Sequence, residues 1–252
     1  MEHMKKNHHS NLEKVKNLFE VQQGIMQEIY RNGFQAYVDK LVNIEESFPD
    51  HDYEICCIDE GTPEGFHSAG SGILRDKEEV IEAFRKAGVQ KITSHDGCGA
   101  AALYAKANNL DLTKSDEYAK EWSKTIAKEL GVPYDHISSA EMNRPSDMHI
   151  ARVAYYDNTG KFNYSKIQGL PIGFIISRKI QSSDDSIAEA KISFDIACSD
   201  HSFGSLIDGN NQFLIVPIGD SPEVVEELKA ELLPLIEELG ERAKVDGFYL
   251  KK

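Results

Sequence analysis

The 252-residue sequence contains no apolar run near the roughly 18 residues that a transmembrane helix requires, so we expect no membrane-spanning segment. It also lacks an excess of positive charge, because 28 lysine and arginine residues face 42 aspartate and glutamate residues and the net charge is −14. A surface this acidic argues against a protein that binds nucleic-acid phosphates or an anionic membrane. We therefore expect neither kind of partner.

The first ten residues, MEHMKKNHHS, lack the apolar core of a secretory signal, and we interpret residues 1–10 as a disordered tail. His8 and His9 are metal-ligand types, but a disordered tail explains them more simply. Cysteine is scarce as well, since only four occur, and they do not form the dense pattern of a secreted disulfide framework. We expect a reduced, cytoplasmic compartment, in which cysteines are candidate metal ligands or nucleophiles.

The order of predicted elements is typical of an α/β fold with a parallel sheet core and flanking helices. Apolar residues at helical spacing over residues 12–44, split at Gly33, predict an N-terminal helical arm over residues 11–48. From residue 49 onward strands alternate with helices, which favours parallel pairing. Helices are expected to begin near Asp76, Ala100, Ser115 and Ser221, and strands are expected at residues 53–58, 89–94, 150–156, 172–177, 192–198 and 212–218.

The predicted α/β domain spans residues 49–252. Two of its parts, a loop and a C-terminal extension, fall outside the simple alternation of strands and helices. The glycine-rich segment 61–72 is predicted to be a loop. From about residue 165 we predict a C-terminal β-β-β-α extension. Its middle strand is residues 192–198, because Ile192, Phe194 and Ile196 alternate with smaller residues at the period of a half-buried strand.

Soft metal ligands follow two neighbouring strands of the predicted sheet. Cys57 ends the first strand, and His95 and Cys98 follow the next one. Because the carboxyl ends of adjacent parallel strands open on the same crevice, we expect these side chains to meet. Two thiolates and one imidazole suit Zn²⁺, and three protein ligands leave a fourth position for a water whose pKa falls to about 7. Cys98 also begins a predicted helix, whose N-terminus favours the thiolate.

At these residues the chain resembles the β-class carbonic anhydrases. That family carries a Cys-x-Asp-x-Arg motif after one strand and a His-x-x-Cys motif followed by glycine after another. The matching residues occur here in the same order, and they are Cys57, Asp59, His95, Cys98 and Gly99. Residues 66–70 are similar to the family's Arg-Asn-Ala-Gly stretch, with His67 at the arginine position, and residues 155–160 are similar to a later Tyr-Asp strand and turn. The resemblance covers roughly residues 53–160, less than half of the chain.

The resemblance implies a zinc-dependent lyase that reversibly hydrates CO₂ to bicarbonate. Cys57, His95 and Cys98 would hold Zn²⁺, and zinc-bound hydroxide would attack CO₂ while Asp59 accepts its hydrogen bond. Members of the family are dimers or larger, with N-terminal helices that grip the neighbouring subunit. The apolar helical arm suits that role, so we expect a homodimer or larger homo-oligomer.

One departure from the family motif concerns the arginine, because Gly61 stands in its place. In the family that arginine holds the aspartate away from the metal. The departure therefore implies that Asp59 can close the site as a fourth ligand, with carbonic anhydrase activity weak or absent near neutral pH. An arginine from elsewhere in the chain is the alternative, and the candidates are Arg75, Arg85 and Arg144.

Several candidate residues have a structural interpretation beside the functional one. His67 is an active-site group by its place in the family pattern or makes a structural hydrogen bond. Asp96 orients His95 or caps the following helix. Cys56 points to the opposite face of its strand from Cys57 and is interpreted as core. Cys198 and His201 have the spacing of a second metal site, but a core cysteine beside a loop histidine is the simpler interpretation.

Two other functions compete with the carbonic anhydrase interpretation. The first is a non-catalytic structural or regulatory zinc protein with a closed site of Cys57, Asp59, His95 and Cys98. The second is a hydrolase that uses Cys57 or Cys98 as nucleophile and His95 as base. Stoichiometric zinc in the purified protein would count against the hydrolase, because a ligated thiolate is a poor nucleophile.

Overall fold

The computed structural model describes residues 2–50, 53–62 and 64–251, with side chains described from residue 13 onward. The chain forms an α/β fold with two parallel sheets flanked by helices, which confirms the predicted fold class. The helices are α1 (Glu2–Asn32), α2 (Phe34–Val38), α3 (Lys77–Ala87), α4 (Gly99–Ala107), α5 (Ser115–Leu130), α6 (Ser183–Ala197) and α7 (Pro222–Leu239). The strands are β1 (Glu54–Cys56), β2 (Phe66–His67), β3 (Lys91–His95), β4 (Tyr134–Ile137), β5 (Val153–Asp157), β6 (Gly173–Ser177), β7 (Phe213–Gly219), β8 (Ala243–Val245) and β9 (Phe248–Tyr249).

The first sheet has the order β2-β1-β3-β4, and the pairings found between its strands are parallel. Helix α3 begins where the Asp76 carboxylate accepts hydrogen bonds from two backbone amides, and it ends at Gly88, which has a φ of 74°. Val80 and Phe84 of α3 are fully buried together with Ile92 of β3. This packing fixes the strand ends from which the candidate ligands project.

The second sheet has the order β6-β5-β7-β8, with β9 also beside β7, and its strands β5, β6 and β7 are buried at every residue. Alternate residues of β7 divide between two cores. Phe213 and Ile215 lie in the core that α6 and α7 cover. Leu214 and Val216 lie in the core that contains Met26 of α1. Near-continuous apolar strands of this kind are typical of a parallel sheet covered by helices on both sides.

The two sheets meet edge to edge beside the candidate metal ligands. The Ile175 amide of β6 donates to the carbonyl oxygen of Ile58 at 3.2 Å, directly after Cys57. The His67 amide of β2 donates to Ser177 Oγ at 2.9 Å. The segment that carries Cys57 therefore lies at the seam between the sheets.

The predicted strand at residues 192–198 is wrong, because residues 183–197 form α6. Ser182 caps this helix by accepting a hydrogen bond from the Asp185 amide, and two aspartates in the first turn favour the helix N-terminus. Ile192 and Ile196 lie one helical turn apart, so their spacing fits a helix as well as a strand. The predicted β-β-β-α extension is likewise corrected to a β-α-β-α order, β6-α6-β7-α7, followed by β8 and β9.

The predicted loop at residues 61–72 contains strand β2, which pairs with β1 through Ile55–Phe66 and Cys56–His67. Helix α1 begins at Glu2, so it extends through the segment that we predicted to be a disordered tail, which contains no proline or glycine to stop a helix. The side chains of His8 and His9 lie outside the described residues. In the described part of the chain, no helix combines the length and the apolar character that crossing a bilayer requires.

The N-terminal arm packs on its own chain. Met26 and Ile29 of α1 and Phe34 of α2 are each at most 1% exposed, against the second sheet. Gln22 of α1 also donates to the carbonyl oxygen of Ile150 at 2.9 Å and accepts from the Ile172 amide. The apolar face on which the expectation of a dimer rested is therefore covered within the chain, and the oligomeric state stays a prediction.

Candidate metal centre

The ligand atoms of Cys57, His95 and Cys98 all lie within 4.8 Å of one another, and the three side chains are buried. Cys57 follows β1, His95 is the last residue of β3, and Cys98 precedes α4 at its N-cap position. Because β1 and β3 are adjacent and parallel, their carboxyl ends bring the three residues together. The prediction that these residues meet is confirmed.

The ring of His95 is oriented for metal binding. Its Nδ1 lies 2.9 Å from the backbone carbonyl oxygen of Asp96, which holds a proton on that nitrogen. Its Nε2 is buried without a hydrogen-bond partner in the described residues. A ligating histidine typically donates its second ring nitrogen to a carbonyl in this way. The unpaired Nε2 fits a metal ligand, since leaving it bare in the interior would cost free energy.

Electrostatics in the cluster also fit a cation. A hydrogen bond from Cys98 holds the pKa of the Cys57 thiol well below its usual range, and the same contact raises the pKa of Cys98. Burial lowers the pKa of His95, but the Cys57 thiolate outweighs burial and raises that pKa to about 9. Two buried sulfurs at this separation share one proton, and a divalent cation would allow both to ionise.

Asp59 is held by an arginine that is distant in sequence. Arg144 Nε donates to Asp59 Oδ1 at 2.7 Å and Arg144 Nη2 donates to Oδ2 at 2.9 Å, with both side chains about 5% exposed. The Gly61 amide also donates to Oδ1 at 2.8 Å. Burial raises the pKa of Asp59, but the positive charges of His95 and Arg144 outweigh it and lower that pKa to about 2. The carboxylate is therefore ionised and fixed in orientation.

Gly61 leaves room for this arrangement. A Cβ on Gly61 would lie 2.6 Å from Met142 Cε, 3.0 Å from Asp59 Oδ1 and 3.1 Å from Arg144 Cγ, so the Met142 side chain and the Asp59–Arg144 pair would have to shift. A guanidinium therefore does bind Asp59, and it comes from Arg144 instead of from position 61, where the motif would place it. The premise that Asp59 is unrestrained is wrong, and direct ligation by Asp59 stays a prediction.

A narrow apolar space adjoins the cluster. A void of about 10 Å³, about the size that holds one water molecule, is lined by Cys57, Asp59 and apolar side chains that include Phe174 and Ile192. It shares His149, Ile192 and other lining residues with a cleft of about 510 Å³ that also includes Arg144. The cleft therefore gives a route from the surface toward the cluster.

A second group of potential ligands, Asp59, Glu60 and His149, lies beside the first. Glu60 Oε2 is 3.0 Å from His149 Nδ1, and Glu60 Oε1 accepts from the Ile150 amide at 2.7 Å. Arg144 already binds Asp59 here, and its positive charge disfavours a cation. We interpret this group as a hydrogen-bond network that supports Asp59.

His67 and Asp96 both make hydrogen bonds that explain their positions without a catalytic role. His67 Nδ1 lies 2.8 Å from the Cys57 carbonyl oxygen, so its structural hydrogen bond is present and an active-site role stays a prediction. The Asp96 carboxylate is 2.8 Å from His136 Nε2 and accepts from the Ser139 amide. Asp96 therefore orients His95 through its backbone carbonyl, and its carboxylate neither contacts His95 nor caps α4.

The other two cysteines are outside the cluster. Cys56 is 1% exposed, and burial raises the pKa of its thiol to about 12, as expected for a neutral core residue. In the described part of the chain, groups of three or more potential ligands occur only at the two places given above, so Cys198 and His201 form no second site there.

The sequence motifs did not indicate Glu60 or His149 as residues of the site. They left Arg144 as one of three arginines that could bind Asp59.

Comparison of the chain with family models, with curated proteins and with solved structures found no match. The function is therefore inferred from the geometry of the site and from the short motifs within residues 53–160.

Proposed function

We propose that this protein is a zinc-dependent lyase of the carbonic anhydrase type, which reversibly hydrates CO₂ to bicarbonate. The observation that carries the proposal is the Asp59–Arg144 pair beside the cluster of Cys57, His95 and Cys98. A metal centre of purely structural use would not need an ionised carboxylate clamped by a buried arginine next to its ligands. The resemblance to the β-class motifs supports the same reaction.

Cys57, His95 and Cys98 would hold the metal. A Zn²⁺ with three protein ligands retains an open position and supplies a Lewis acid that brings the pKa of water to about 7. The Cys98 thiolate is further favoured by the N-terminus of α4, and His95 is held in the required tautomer by the Asp96 carbonyl.

Asp59 accepts and orients the proton of the attacking oxygen. Arg144 donates to both oxygens of the carboxylate and the Gly61 amide donates to Oδ1, so the carboxylate cannot rotate freely. A fixed acceptor of this kind lowers the cost of reorganisation during the reaction. The hydrogen bonds and positive charge of Arg144 lower the pKa of Asp59, so the group stays an acceptor at neutral pH.

The walls of the small void select the substrate. Ile58, Phe174 and Ile196 line it with apolar surface, which favours an apolar substrate over a charged one. CO₂ has that chemistry, and it would approach the cluster from the adjoining cleft of about 510 Å³, since the void itself has room for about one water molecule.

The test substitutes the clamping arginine and measures zinc and turnover together. Arg144→Gln is expected to retain about one zinc per chain while CO₂ hydration falls by roughly 10- to 100-fold, the usual effect of losing an outer-shell partner. Arg85→Gln is the matched control, because Arg85 is another arginine considered for this role and its guanidinium lies near the Glu129 carbonyl oxygen instead. Stopped-flow CO₂ hydration and metal analysis are the measurements.

Two results would contradict the proposal. Wild-type turnover in Arg144→Gln would show that the clamp has no part in the reaction. Stoichiometric zinc with no CO₂ hydration by the wild type would favour the closed, non-catalytic site. An X-ray absorption spectrum that fits a carboxylate oxygen as the fourth zinc ligand would support that closed site.

A further inference from the structure

A buried carboxylate outside the cluster has no evident structural reason to be there. Glu189 of α6 is 3% exposed, and the positive charge that acts on it is that of Arg75, which forms its salt bridge with Asp185. Burial raises the pKa of Glu189 to about 7, so keeping this group inside the protein costs free energy. Residues of this kind are retained where their hydrogen bonds serve a purpose.

The hydrogen bonds of Glu189 converge on one short loop. Glu189 Oε1 accepts from Ser68 Oγ at 2.7 Å and from the Ala69 amide at 2.6 Å. Glu189 Oε2 accepts from Gln181 Nε2 at 2.7 Å. Both acceptors are thus occupied, and one of them ties α6 directly to the backbone of residues 68–69.

The next residue of this loop contacts a candidate metal ligand. The Gly70 amide donates to Cys57 Sγ at 3.2 Å. Gly70 has a φ of 55° and Ser71 a φ of 56°, a left-handed conformation that is costly for serine and must be held by its surroundings. Ser71 Oγ donates to the Thr93 carbonyl oxygen at 2.7 Å, which holds the loop from the other side.

We propose that Glu189 is a positioning residue for the metal centre: it fixes the loop of residues 68–71 so that the Gly70 amide donates a hydrogen bond to the Cys57 thiolate. This inference rests on the proposed metal centre. A hydrogen bond to a ligating sulfur withdraws electron density from it, so Glu189 sets how strongly Cys57 donates to the metal. It acts through Ser68, Ala69 and Gly70, without touching the metal itself.

The test uses Co²⁺, whose sulfur-to-metal charge-transfer absorption reports on the donor strength of the thiolates. Glu189→Ala is expected to move this absorption to lower energy, since the Cys57 thiolate loses the amide hydrogen bond. Co²⁺ affinity is expected to fall by about 10- to 100-fold, because the loss of the ordered loop beside Cys57 outweighs the stronger donation of the thiolate. Glu189→Asp keeps the charge but is one methylene too short to hold both Ser68 and Ala69, so it should shift the spectrum in the same direction. It serves in place of Glu189→Ala if the alanine variant does not fold.

Glu189→Gln keeps an oxygen that can accept from Ser68 and Ala69. Its amide nitrogen takes the place of the oxygen that accepts from Gln181, so the Gln181 amide must turn to present its own oxygen. With that rotation the spectrum and affinity are expected to match the wild type. Ser193→Ala is the control for burial, because Ser193 is fully buried on the same helix and donates only to the Glu189 backbone carbonyl. Wild-type spectra in both Glu189→Ala and Glu189→Asp would overturn the inference while leaving the metal centre intact. Failure of the wild type to bind either Zn²⁺ or Co²⁺ would overturn the metal centre itself, and this inference with it.

Discussion

The two parallel sheets of this protein contribute differently to the same site. The first sheet, β2-β1-β3-β4, brings all three candidate ligands to its carboxyl edge. The second sheet, β6-β5-β7-β8, supplies no ligand, and β7 is buried along its entire length. Its β6 and the following α6 nevertheless close the site, through Phe174, Ile192 and Glu189. Substitutions in the first sheet should therefore affect the candidate ligands, and substitutions in the second sheet should affect the side chains that cover them.

The largest expected effect comes from breaking the ligand set of the first sheet. Cys57→Ser should abolish zinc binding and lower thermal stability, because metal affinity contributes to folding and reaches roughly 10–16 kcal/mol at structural zinc sites. Cys56→Ser is the adjacent control, since its thiol lies outside the cluster. Metal analysis and calorimetry are the measurements. Full zinc content in Cys57→Ser would remove Cys57 from the ligand set.

The corresponding substitution in the second sheet should affect stability alone. Phe213 of β7 is fully buried and packs edge-on against Phe194 with ring centroids 6.0 Å apart. Phe213→Ala should lower the free energy of unfolding by about 3–5 kcal/mol, while zinc content stays at the wild-type level. Chemical denaturation and metal analysis test this. Loss of zinc from the folded variant would show that the two regions are not separable.

The pH dependence of stability should carry a contribution from Glu189. Its pKa is raised from 4.5 to about 7 in the folded protein, so between these values the folded state holds a proton that the unfolded state has released. Stability from this group is fully present below pH 4.5 and is lost as pH rises toward 7, by about 3 kcal/mol in total. The unfolding free energy of the wild type minus that of Glu189→Gln should fall over this range. A flat difference would contradict the raised pKa.

The smallest effects are expected at the helix caps, one beside each sheet. Asp76 caps α3 with its carboxylate, and Ser221 caps α7 through the Val224 amide. Asp76→Ala and Ser221→Ala should each cost about 1 kcal/mol and leave zinc content and turnover unchanged. Unfolding curves recorded side by side test both. A change in zinc content on removing the Asp76 cap would mean that α3 controls the ligand geometry directly.

The ligand set was predictable from sequence, because Cys57, His95 and Cys98 follow strands whose parallel order brings their ends together. Arg144 was not predictable as the clamp, since it comes from a segment without regular structure 85 residues after Asp59. Helix α6 was misassigned because Ile192 and Ile196, four residues apart, fit the two-residue period of a strand as well as the 3.6-residue period of a helix. Glu189 is one of 42 acidic residues, and only the packing of α6 against residues 68–69 distinguishes it.

The closeness of Gly61 and Arg144 also decides how substitutions at the two positions combine. A side chain added at Gly61 would displace Met142 and crowd Arg144, while loss of Arg144 alone would release Asp59. The two positions are therefore epistatic, and their substitutions should be strongly non-additive. An arginine at position 61 and Arg144 would compete for the same carboxylate and the same space, so exchanging one for the other requires both positions to change. A motif search that demands arginine two residues after the aspartate would overlook this arrangement.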